Sequence, residues 1–103
     1  ENVADLGGLV MAYDALQRSL EGKPRTMIDG FTPEQRFFMG WAQMWRTQFT
    51  PKALEKYVRT NVHSPGHFRI VGPFSNMDAF HQAFGTQPGD AMWRAPEDRI
   101  EIW

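Results

Sequence analysis

From Val3 to Leu20 the apolar residues Val3, Leu6, Leu9, Val10, Tyr13, Leu16 and Leu20 recur mostly at steps of three and four, the spacing that lays one stripe of a helix against a core. The pattern predicts a first helix over this stretch. Glu21-Gly22-Lys23-Pro24 closes it with a Gly stop and a following Pro. Gly7 and Gly8 inside it each cost about 1 kcal/mol relative to alanine, which points to close packing there.

Beyond Asp29-Gly30, the run Thr32-Pro33-Glu34-Gln35 has the form of a helix start, with Thr as cap, Pro at the first helical position and Gln as capping-box partner. A second helix is predicted to about Phe49. Phe37, Phe38, Trp41, Met44, Trp45 and Phe49 give it an aromatic face wide enough to predict burial on more than one side. Thr50-Pro51 repeats the device, so a third helix is expected from Pro51 to about Thr60, with Leu54, Tyr57 and Val58 turned inward. Residues 61–66 break it. Residues 67–71 alternate weakly and read as either a short extended segment or a loop crossing the core. A fourth helix, capped by Ser75 or Asn76, would present Met77, Phe80 and Phe84 on one face and stop at Gly85. The turn-rich tail from Pro88 to Trp103 reads as irregular. The fold class is therefore mainly α, with about four helices and an irregular C-terminal stretch. There are no internal repeats.

Composition narrows what such a chain can do. At 103 residues it has the size of a single modest domain. With 11 Lys+Arg against 12 Asp+Glu and no long run of either sign, it has no electrostatic footprint for nucleic acid. It contains no cysteine, which excludes disulfides, thiolate metal sites and a Cys nucleophile. No apolar stretch approaches the roughly 20 residues of a membrane span. The first residues read as the interior of an amphipathic pattern without an initiator Met, so a piece of a longer protein is expected. Some of the four Trp and eight Phe would then pack on segments outside it.

Several residues could carry chemistry. Glu1 and Asp5 are four apart, so on a helix their carboxylates share a face. Two readings stay open: a solvated helix start favoured by the helix dipole, or a metal-binding carboxylate beside one that supports a histidine ligand. His63-x-x-x-His67 has zincin spacing, but Pro65 and Gly66 would break the helix needed to aim both rings at one ion. His81 reads as a surface or half-buried histidine. His63 and Arg69 lie in a Pro/Gly-shaped stretch expected to be a rigid loop, which could present a donor to an oxyanion and a fork to a carbonyl; Arg69 could equally pair with an Asp. Trp41, Met44 and Trp45 could line a pocket or simply be core. Ser64 lacks the context of a hydrolase serine.

Four segments sharpen these alternatives: Glu1-Asn2-Val3-Ala4-Asp5-Leu6-Gly7-Gly8-Leu9; Phe31-Thr32-Pro33-Glu34-Gln35-Arg36-Phe37-Phe38 with Trp41-Ala42-Gln43-Met44-Trp45; His63-Ser64-Pro65-Gly66-His67-Phe68-Arg69; and the closing Trp103. In order and spacing they resemble the C-terminal end of the neprilysin and endothelin-converting-enzyme family of zinc metallopeptidases, including its bacterial oligopeptidase O members. The resemblance implies the C-terminal half of a thermolysin-like catalytic lobe. It makes Glu1 the third protein ligand of a catalytic zinc, with two histidines and the general base on an upstream His-Glu-x-x-His helix. By the same resemblance, Asp5 orients one of those histidines, His63 donates to the oxyanion, and Arg69 hydrogen-bonds the substrate backbone. Met44 and Trp45 would help form the apolar pocket for the residue after the cleaved bond.

The family implies oligopeptide substrates, the upstream part of the catalytic domain as partner, and a periplasmic, cell-surface or secreted location. Lack of the cysteines that animal members carry near their C-termini points to a bacterial source. The His-Glu-x-x-His motif is not within these 103 residues, so this chain alone is expected neither to hold zinc tightly nor to cleave peptides. The rival reading is a non-catalytic helical interaction domain that docks a partner on the aromatic face of helix two.

Overall fold

The computed structural model describes residues 1–102; Trp103, which contributes to the resemblance, lies outside the described residues. Five α-helices follow in order: α1 (Asn2–Leu20), α2 (Pro33–Met44), α3 (Pro51–Thr60), α4 (Gly66–Ser75) and α5 (Asp78–Phe84), with a 3₁₀ turn at Pro96–Asp98. There is no strand among the described residues, only an isolated bridge between Ile28 and Phe31. That bridge is closed by Asp29 and Gly30, both at positive φ (51° and 80°), the conformation that an Asp-Gly turn accepts readily.

Most of the local start and stop signals form as the residue types dictate. The Thr32 hydroxyl accepts from the Gln35 N–H at 3.1 Å, while the Gln35 side chain accepts from the Thr32 N–H at 3.0 Å. Thr50 caps α3 through the Ala53 N–H. Gly85 ends α5 in the left-handed conformation, φ 61°.

Four helices share one core. Leu6 and Leu9 of α1, Phe38 of α2, Phe74 of α4, and Met77 and Phe80 at the start of α5 are buried together. Phe38, wholly buried, is its hub, with the rings of Phe74 and Phe80 packed edge-on at 5.0 and 5.4 Å and Tyr13 stacked at 5.7 Å. The chain has a radius of gyration of 15.3 Å, against about 13 Å for a compact domain of this length. Part of the excess is α3, which buries none of its residues.

Six expectations need correction. Neither Ser75 nor Asn76 caps the helix that ends at Gly85: Met77 stands at its N-cap with no side-chain cap bond, while Ser75 closes α4 and Asn76 follows as its C-cap. Residues 67–71 are neither extended nor loop, because α4 runs through them. Helix two stops at Met44 instead of Phe49: the Trp45 carbonyl meets Gly66 at the start of α4, and the chain turns away. The inward face of α3 finds nothing to cover it, leaving Leu54 and Val58 exposed. Gly7 is buried, but Gly8 has no atom within 4 Å of where a Cβ would stand, so the close packing expected at both is absent at Gly8. His81 is buried, its ring nitrogens bonded to the Thr86 hydroxyl and the Ser75 carbonyl at 2.5 and 3.0 Å. Those two partners satisfy the imidazole and make its burial tolerable.

Candidate active site

Glu1 caps α1, and its carbonyl accepts the Asp5 N–H at 2.9 Å. One helical turn therefore stacks the two carboxylates on one face, as their spacing requires. Arg69, expected in a loop, sits instead in the opening turn of α4, which packs along α1. Its Nε and Nη2 donate to the two carboxylate oxygens of Asp5, the second at 2.7 Å, and its Nη1 lies 3.1 Å from Glu1 Oε1. His63 remains in the loop before α4, where its N–H donates to the Asn61 side chain at 2.9 Å, and its Nδ1 meets Glu1 Oε2.

The four groups form a ladder from interior to solvent. The side chains of Arg69 and Asp5 are 7% and 9% exposed, those of Glu1 and His63 40% and 55%. The repulsion expected between Glu1 and Asp5 is thus offset by one guanidinium that touches both. Hydrogen bonding to Asp5 raises the pKa of Arg69 further above its ordinary value; burial opposes this, and the charges of Asp5 and Glu1 add to the rise. The cation is fixed, and the Asp5 end of the ladder is a buried, bidentate ion pair.

Met44 and Trp45 part company. Met44 is exposed and lines, with Ala4, Gly8, Leu9, Phe37 and Trp41, an apolar groove of about 430 Å³ between α1 and α2. Trp45 does not line it; its ring lies under the Arg69 guanidinium, 4.1 Å from ring centroid to Cζ. Trp41, also considered for a pocket, donates its indole N–H to the Arg69 carbonyl at 2.9 Å. Gly66 was not singled out, yet a Cβ there would stand 2.4 Å from the Trp45 carbonyl oxygen. Sequence spacing carries no signal for this contact, which joins the end of α2 to the start of α4.

Among the described residues no group of three or more His, Cys, Asp or Glu side chains is placed to hold a metal ion. A zinc site of the catalytic kind takes three protein ligands. Glu1 fits as one of them, being a half-exposed carboxylate held at a helix start with a buried carboxylate behind it.

The fold is thus a helical one in which a carboxylate pair on one helix is met by a His and an Arg from a distant segment. The family model described as Peptidase family M13 matches residues 1–100, and the chain belongs to that family. It is 39% identical over 106 residues to mouse endothelin-converting enzyme 1 and 35% identical over 107 residues to Drosophila melanogaster neprilysin-3, with all of this chain covered in both cases. The zinc metalloprotease Zmp1 of Mycobacterium tuberculosis, solved in an open state, superposes with a TM-score of 0.92 at 45% identity over 99% of this chain. The match covers 14% of the length of endothelin-converting enzyme 1 and 16% of the Zmp1 chain, so this chain spans about one seventh of such relatives.

Proposed function

We propose that these residues are the C-terminal part, a single domain over 1–103, of the catalytic domain of a zinc metallopeptidase that hydrolyses oligopeptides in the full-length protein. The observation that carries the proposal is the convergence of Glu1, Asp5, His63 and Arg69 across sequence separations of 62 and 64 residues. Glu1 supplies one zinc ligand, and histidines outside these 103 residues supply two more. Zinc, when bound, polarises the scissile carbonyl and lowers the pKa of its water.

The chain's own residues do the rest. Asp5, held by Arg69, keeps lone pairs free to accept the ring N–H of a ligand histidine and fix its orientation. Arg69 uses one N–H of Nη2 on Asp5 and has a second N–H on that nitrogen for a substrate carbonyl. His63, on the solvent side of Glu1, donates to the oxyanion. Met44 offers an apolar wall for the residue just after the cleaved bond. The upstream part of the same domain completes the site, and a periplasmic, cell-surface or secreted placement follows family habit. None of the described helices is long and apolar enough to cross a membrane.

Taken alone, the 103 residues neither bind zinc tightly nor cleave peptides. The interaction-domain alternative has less support, because the aromatic face it needs is turned largely inward: Phe38 is the hub of the core, with Phe37 and Trp41 packed around it. The test is His63→Ala in the full-length protein. Peptide cleavage should slow on the order of a hundredfold to a thousandfold, the effect of losing one oxyanion donor; unchanged rates would remove His63 from this role.

A further inference from the structure

Arg69 is presented by a helix start that closes itself poorly. α4 opens after Pro65 with no side-chain cap among the described residues, and the N–H groups of Phe68 and Arg69 share one acceptor, the Pro65 carbonyl, at 2.9 and 3.3 Å. The Arg69 carbonyl loses its usual helical donor as well. The N–H that would reach it belongs to residue 73, and that residue is Pro73, which has no N–H and whose ring presses on the carbonyl four residues back. Arg69 is only 6% exposed, and a buried acceptor left without a donor is costly.

Trp41 supplies the missing donor. Its indole N–H reaches the Arg69 carbonyl at 2.9 Å from α2, across 28 residues of sequence. The ring is held from behind, because Trp41 packs on the core cluster around Phe38, and α2 is itself fixed at its start by the Thr32–Gln35 capping box. Arg69 is therefore tied at both ends, its carbonyl by Trp41 and its guanidinium by Asp5 and Glu1. An arginine carries its charge on a long stem with many rotamers, so the carboxylate contacts alone do not fix where its backbone stands. The bond to Trp41 does.

We propose that Trp41 is a positioning residue for Arg69: its indole N–H replaces the helical bond that Pro73 removes, and so sets where the opening turn of α4 holds Arg69 against the carboxylate face of α1. The two residues are then complementary. Returning an N–H to position 73 makes the indole N–H dispensable. The catalytic consequence rests on the peptidase role given to Arg69; the relation between positions 41 and 73 does not.

The test places Trp41→Phe, which keeps a ring and loses the N–H, in three backgrounds of the full-length protein: wild type, Pro73→Ala and Arg69→Lys. Amide hydrogen exchange followed by mass spectrometry reads the hydrogen bond without catalysis. In the wild type, Trp41→Phe should speed exchange at residues 68–72 about tenfold; with Ala at position 73 the same change should alter it less than about twofold. Peptide cleavage reads the positioning. Trp41→Phe should lower kcat/KM about five- to tenfold in the wild type, and less than about twofold once Lys has replaced the arginine it positions. Exchange indifferent to Trp41→Phe, the same acceleration whether residue 73 is Pro or Ala, or an undiminished loss of kcat/KM on top of Arg69→Lys would each overturn the proposal. Should Pro73→Ala not fold, the Arg69→Lys comparison decides it. If exchange responds as expected while the full-length wild type cleaves no peptide, the bond between Trp41 and Arg69 stands and the peptidase reading fails.

Discussion

Helices α1 and α3 each carry an apolar stripe, and the two stripes have opposite fates. In α1 the centre of the apolar stripe is buried, with Leu6 and Leu9 only 4% and 3% exposed, although Val3 at its start is 62% exposed. In α3 no residue is buried, and Val58 is 60% exposed. Periodicity tells which side of a helix is apolar; it does not tell whether the chain contains anything to cover that side. For α1 the cover exists because α4 lies along it, and the two are joined by the Arg69 pair with Asp5 as well as by apolar packing.

That contrast orders the expected effects of substitution. Arg69→Met should be the most damaging, because it strands the nearly buried Asp5 carboxylate without a partner; losing one half of a buried pair costs about 3–5 kcal/mol. Denaturant unfolding of the 103-residue chain measures this, and a loss below about 1 kcal/mol would break the claim that the seam between α1 and α4 depends on the ion pair.

Gly66→Ala should come next. The added methyl would stand 2.4 Å from a backbone oxygen, which cannot swing aside like a flexible side chain, so α4 must shift away from α2 at a cost of about 1–3 kcal/mol. The same unfolding midpoint reports it. Smallest of all, Val58→Ser on the bare face of α3 should change global stability by no more than about 0.5 kcal/mol. A clearly larger loss would mean that α3 is covered after all and would erase the difference between the two helices.

What could be read from the sequence follows the same division. Local chemistry was legible: the capping box of Thr32 and Gln35, the Thr50 cap, the Gly85 stop and the shared face of Glu1 and Asp5 all depend on neighbours within a turn or so. α4 was not legible, because Pro65 and Gly66 before it read as breakers, and because Pro73 lies inside it, leaving the Arg69 carbonyl to be satisfied by Trp41 from another helix. The end of α2 was hidden for a related reason, since it is set where Trp45 meets Gly66. His81 was read as a surface or half-buried group because its partners, Ser75 and Thr86, become partners only once α5 and the turn after it have folded. At the site, the carboxylate pair was visible from spacing. The arrival of Arg69 from 64 residues away was only one alternative among several, and the contact of its guanidinium with the Trp45 ring was not foreseen.

The central claim is that Glu1 is a zinc ligand, and zinc binding by the full-length protein with and without Glu1→Gln tests it most directly. The wild type should hold one zinc per chain. Glu1→Gln should lose affinity by more than the roughly 10- to 100-fold typical of residues that only support a ligand, with circular dichroism confirming that the helices remain. An unchanged zinc affinity in Glu1→Gln would contradict the account.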